Sequence, residues 1–216
     1  MRKVPFRVFE AGAGEIPYGL IGQALKARKR GLNREFTAAD VALLAEQALR
    51  QRNLTNAPSN LKLVRNCAMD ELKKLPTESH DIVFGSYFLN NYAGIHGERY
   101  HASRAMEYFA EARRVLKPNG RIIIIQDNMF AGNYVEFARK MGFSGVTRVK
   151  LPLRFLEGST AFYIEQRATR EGRLRLINHD IERYPALLNQ ARGFADENNL
   201  KDISEAYWPT AVVIKK

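Results

Sequence analysis

One cysteine, Cys67, stands in a chain of 216 residues. No internal disulfide can form, and a reducing, cytoplasmic setting is expected. No apolar run approaches the ~20 residues of a membrane-spanning helix, so no membrane association is expected. Met1–Phe6 carries two charges and no apolar stretch follows, so no secretory leader is expected either. There are only four histidines, and no Cys/His/Asp cluster has the spacing of a metal site; no metal is expected. The G-x-x-x-x-G-K-[ST] loop of nucleoside triphosphate sites is absent. Ser86 has no evident partner for nucleophilic catalysis. Internal repeats and low-complexity segments are lacking too. Acids are few, with 23 Asp and Glu against 34 Lys and Arg, for a net charge of +11.

That excess of base favours anionic partners, with nucleic acid first and a small anionic molecule as the alternative. The basic residues cluster at Lys26, Arg28, Lys29, Arg30 and Arg34, at Arg139–Arg154, and at Arg167–Arg175. None of these runs interleaves aromatics as an RNA-binding motif does. A hydrophobic share of 45% suffices for a sizeable core.

Strand-like and helix-like segments alternate, which predicts a doubly wound, mostly parallel sheet with helices on both faces. Predicted strands are Arg7–Glu10, "REFTAAD" to Asp40, "LKLVR", "HDIVFGSYFL", "RIIIIQD", "GVTRVKLP" and "AFYIEQR". Predicted helices are Pro17–Arg30, one after Asp40, and Ala102–Leu116, stopped by Pro118 and Gly120. Another opens on an Asn133/Glu136 capping box, and one lies near Ile181–Ala195. Residues 1–170 read as one domain and 171–216 as a C-terminal extension, helix plus strand, packed on it.

Ligands of such sheets sit at the carboxyl ends of the strands. Here those ends carry Glu10–Gly14, Asp40, the stretch after Arg65, Ser86–Tyr92 and Asp127. A dinucleotide site needs G-x-G-x-x-G, but Pro17 stands where the third glycine belongs. Four phrases in order resemble another family, the class I S-adenosylmethionine-dependent methyltransferases, over about Arg7–Arg167. "VFEAGAG" looks like its first motif, and "FTAADVALLAEQAL" like its second strand with the ribose-binding acid. "HDIVFGSYFL" looks like its fourth strand, and "EARRVLKPNGRIIIIQD" like its fifth strand with the preceding helix.

The resemblance implies a Rossmann-like, seven-stranded sheet and methyl transfer from S-adenosylmethionine. Its cofactor-binding residues would be Glu10, Ala11, Gly12, Gly14, Asp40, Ala68, Met69 and Ser86. Glu10 would lie near the methionine part, through its ammonium or a water. The other reading of Glu10 is structural, with an arginine or backbone N–H groups of the turn as partners. Asp40 would accept from the ribose hydroxyls, or else close a capping box with Thr37. Ala68 and Met69 would meet adenine through backbone and packing, with Asp70 the alternative ligand. Tyr87, Asn90 and Asn91 would touch the acceptor, and Tyr92, His96 and His101 are the candidate bases. "SYFLNNY" lacks the [DN]-P-P-[YF] of enzymes that methylate exocyclic base amines. The acceptor is expected to be RNA or a small anionic molecule. A cofactor-binding partner subunit without turnover is the alternative to an enzyme.

Overall fold

A computed structural model describes residues 4–13, 18–86, 88, 102–143, 145–151, 185–200 and 209–216. The chain runs β1 (Phe6–Ala11), α1 (Tyr18–Lys29), β2 (Arg34–Ala39), α2 (Ala45–Arg50), β3 (Leu61–Val64), α3 (Ala68–Lys74) and β4 (His80–Ser86). It continues through α4 (Ala102–Val115), β5 (Leu116–Asp127), α5 (Asn128–Lys140), β6 (Gly145–Lys150), α6 (Pro185–Glu197) and β7 (Pro209–Lys215).

The strands form one seven-stranded sheet in the order β3-β2-β1-β4-β5-β7-β6. The β3, β2, β1, β4 and β5 pairings are parallel, while β7 runs antiparallel to both β5 and β6. Successive side chains of a strand point to opposite faces, and two cores result. On one face Val8, Phe36, Ala38 and Leu61 pack under Leu20, Ile21, Ala24 and Ala27 of α1, with Ala48 of α2. On the other, Phe9, Ala11, Val83, Ile122, Ile124 and Val212 pack under α3, α4 and α5. Strands buried on both sides need continuous apolar runs, and "RIIIIQD" is one.

Several sequence expectations shift. Gly120 does not merely stop the helix. Residues 117–120 form an irregularity within β5, where the pairing jumps from His80↔Leu116 to Ile82↔Arg121. A Cβ on Gly120 would meet Leu116 Cβ and Lys117 O at 3.0 Å, so the fold-back is tight and favours glycine. The helix expected to open on Asn133 begins at Asn128 instead, and Glu136 pairs with Lys140 at 2.7 Å, not with an N-cap. Packing decided this, because Met129, Phe130 and Ala131 are buried and continue the apolar face. The 171–216 segment supplies β7, which lies between β5 and β6 in the sheet. The predicted strand "AFYIEQR" lies outside the described residues.

Candidate active site

Strand order reverses between β1 and β4, so the connections leaving their carboxyl ends run in opposite directions and a crevice lies between them. β1 delivers Glu10, Ala11 and Gly12 to it. Gly12 has φ +70°, and the backbone N–H groups of Gly12 and Ala13 both donate to Ala39 O, at 3.0 and 3.4 Å. The turn is thereby stitched to the end of β2. A Cβ on Gly12 would fall 2.6 Å from Phe88 Cβ, so glycine is required twice over, by conformation and by space.

Glu10 faces away from the Phe9 and Ala11 side and is 5% exposed. Its Oε2 has no hydrogen-bond partner. Burial raises the carboxyl pKa to about 7, and the Asp40 carboxylate adds to the rise. No arginine or backbone N–H among the described residues pairs with it, so the structural explanation for this glutamate lacks its partners. An uncompensated buried carboxylate is costly, and a cation or donor arriving in the crevice would relieve it.

Asp40 follows β2 directly. Thr37 lies inside that strand, paired with Phe9, so the two do not form a capping box. Asp40 instead accepts Ala42 N–H at Oδ1, 2.8 Å away, and its own N–H donates to Val64 O at 3.2 Å. One carboxylate oxygen is therefore tied into the turn. At the end of β3, Arg65 Nε donates to Val41 O at 3.3 Å, and Asn66 Nδ2 to Glu71 Oε1 at 2.7 Å. The hydrogen bond from Lys74, and after it the one from Asn66, holds the Glu71 carboxyl below its usual range. Ala68 and Met69 open α3 beside this edge. Met69 is 1% exposed and closed into the core, so only its backbone faces outward chemistry.

Ser86 ends β4; its side chain, with Gly14, Tyr87, Asn90, Asn91, Tyr92, His96 and His101, lies outside the described residues. Two residues enter that the sequence did not signal. Phe88 packs over Gly12 and lies 5.7 Å, ring to ring, from Tyr108 of α4. Tyr108 is fully buried, its hydroxyl has no partner, and burial pushes its pKa up. That hydroxyl lies 3.4 Å from where a Cβ on Gly85 would stand, beside the glycine turn. Tyr108 shares an apolar helix face with Ala105, Phe109 and Ala112, which hid its polar end among core positions.

His80 lies at the opposite, amino edge of the sheet. Ser79 Oγ donates to Pro76 O at 2.6 Å, so it must accept from His80 Nδ1 at 2.8 Å. The histidine is structural. Among the described residues no group of three or more His, Cys, Asp or Glu could hold a metal ion, and no helix is long and apolar enough to cross a membrane.

A family model described as a methyltransferase domain matches residues 18–124. No curated protein matches the chain in sequence. Among solved structures, a SAM-dependent methyltransferase from Archaeoglobus fulgidus superposes with a TM-score of 0.56 at 16% identity, covering 99% of this chain and 87% of that one. Phosphoethanolamine N-methyltransferase 2 of Haemonchus contortus, in complex with S-adenosyl-L-methionine, gives 0.51 at 17% identity. It is covered over 100% of this chain and only 50% of its own. Identities this low speak for the fold, and the family match speaks for the domain. With the strand–acid–glycine turn, the 3-2-1-4-5-7-6 sheet and a methyltransferase-domain match over residues 18–124 on one chain, the protein has the fold of the class I S-adenosylmethionine-dependent methyltransferases and is similar to them in sequence over that segment.

Proposed function

We propose that the crevice binds S-adenosylmethionine with its ammonium toward Glu10, its amino acid part along the Gly12 turn, its ribose at Asp40 and its adenine beside Ala68 and Met69. The observation that carries this reading is the buried Glu10 carboxyl, partnerless at Oε2, two residues before a glycine of positive φ. Such a group suits a ligand that brings a cation. When bound, the cofactor supplies an activated methyl. This chain's residues orient it and exclude water, and positioning of this kind lowers a barrier by about 7–11 kcal/mol.

The acceptor would enter beside residues 86–92, with Tyr87, Asn90 and Asn91 as contacts and Tyr92, His96 or His101 as the base. RNA is the acceptor that the +11 charge supports. A small anionic acceptor is the alternative that the same positive charge allows.

The test has two parts. Calorimetric titration with S-adenosylmethionine should show binding that Glu10→Gln weakens by about 1–3 kcal/mol, as for a lost charged hydrogen bond. Labelled cofactor should then pass its methyl to total RNA or to a metabolite extract, and the labelled fraction names the acceptor class. Normal affinity in a folded Glu10→Gln protein would remove Glu10 from the site. Binding with no transfer to either extract would favour the partner-subunit reading.

A further inference from the structure

The edge of the sheet away from the crevice holds a cavity of about 610 Å³ between the starts of β1, β4 and β5. Phe6, Ile82 and Pro118 give it apolar walls, and Asp81, Lys117, Asn119 and Arg121 give it polar ones. Phe6 is 38% exposed, with the Arg34 guanidinium carbon 5.4 Å from its ring centroid. An aromatic ring flanked by a guanidinium and bordering a cavity is what a planar base stacks on.

Two of the positive charges at this edge, Arg121 and Lys215, are uncompensated among the described residues. Pairing register sets Ile82 beside Arg121, and Arg121 directly opposite Lys215. Like charges facing each other across strands destabilise a sheet, yet neither Arg121 nor Lys215 has an ion pair among the described residues. Neighbouring acids are already taken. Asp81 Oδ2 accepts from Lys117 Nζ at 2.7 Å and from Arg7 N at 2.8 Å. Glu35 holds Arg7 at 2.8 Å, and Glu78 holds Lys216 at 3.3 Å. On the same face, α1 ends with exposed Lys26, Arg28 and Lys29, followed by exposed Arg30. Helix-end bases complement the helix dipole and need no ligand. Arg121 and Lys215 lie in strands and have no such reason to be there.

We infer that this amino edge is a second binding site, for single-stranded nucleic acid, with a base in the cavity against Phe6 and phosphates on Arg121 and Lys215. Six residues of β5 separate Arg121 from Asp127, about 20 Å at ~3.3 Å per residue. The site is therefore distinct from the cofactor crevice and does not depend on which acceptor is methylated.

The test is fluorescence anisotropy with a labelled single-stranded oligouridine RNA at low salt. The double variant Arg121→Glu/Lys215→Glu should bind at least about tenfold more weakly and lower the log–log salt slope by about 1.4, or ~0.7 per phosphate contact. Arg104→Glu/Arg192→Glu makes the same change in net charge on α4 and α6 and should weaken binding by less than about threefold, in keeping with screened long-range charge. Phe6→Leu should lose about tenfold through stacking while keeping the salt slope. All three variants should melt near the wild type and titrate with S-adenosylmethionine unchanged. Equal losses in the two charge-reversal variants would make the effect one of net charge and overturn the site. Wild-type affinity in Phe6→Leu would overturn it as well. So would an Arg121/Lys215 dependence seen with anionic phospholipid vesicles and not with RNA.

Discussion

Glu10 is costly as it stands. Its carboxyl pKa is raised to about 7 by burial and by Asp40, whereas the unfolded chain has the ordinary 4.5. A raised acid favours folding while protonated, and that contribution is lost as pH climbs from about 4.5 to about 7. The loss should come to about 3 kcal/mol, at 1.36 kcal/mol per pH unit. Glu10→Gln should therefore match the wild type in denaturant melts near pH 4 and exceed it at pH 8. Cofactor binding favours the ionised form, so wild-type affinity should rise between pH 5 and 7, and the Gln variant should flatten that rise. Gly12 yields a second prediction at this scale. Gly12→Ala places a Cβ against Phe88 at positive φ and should cost about 1–3 kcal/mol. Part of that should return in Gly12→Ala/Phe88→Ala, a coupling of at least about 0.5 kcal/mol in a double-mutant cycle.

Among the elements, β7 decides the most. It is the antiparallel strand between β5 and β6, and Val212 and Ile214 are fully buried in it. Ending the chain after residue 208 would leave β5 with an open edge and β6 with no partner strand. The truncated protein should fail to give a cooperative melt. Ile214→Ala in the full chain should cost about 2–5 kcal/mol. The start of β4 adds an acid-sensitive element. Burial and the nearby Arg7 lower the His80 pKa from 6.5 to about 4. A lowered base contributes stability above its unfolded pKa and loses it as pH falls through the folded one. The wild type should thus lose about 3 kcal/mol more than His80→Gln between pH 6.5 and 4, read from paired denaturant melts.

Over the whole molecule, the positive charge is sorted by the fold. Helices antiparallel to the strands carry their basic last turns to the amino edge, while the acids Glu10 and Asp40 stand at the carboxyl edge. This sorting is invisible in a net charge, since it depends on which ends of which elements are neighbours. The opening turn was legible because a strand must stop, turn and become a helix within a few residues, and Glu10, Gly12 and Asp40 mark that change locally. Strand ends were legible because buried parallel strands are written as apolar runs. Phe88 over Gly12 and the buried Tyr108 hydroxyl were not legible, since both look like core in a one-dimensional pattern.

The sequence by itself determined the class of fold, the order of its first five strands and the acid–glycine turn, because hydrophobic period and turn chemistry act between near neighbours. Only the tertiary structure decided that the chain's last strand enters between β5 and β6. It alone left Glu10 Oε2 without a partner and put Arg121 against Lys215. Those outcomes follow from register and burial, which join residues far apart in the chain.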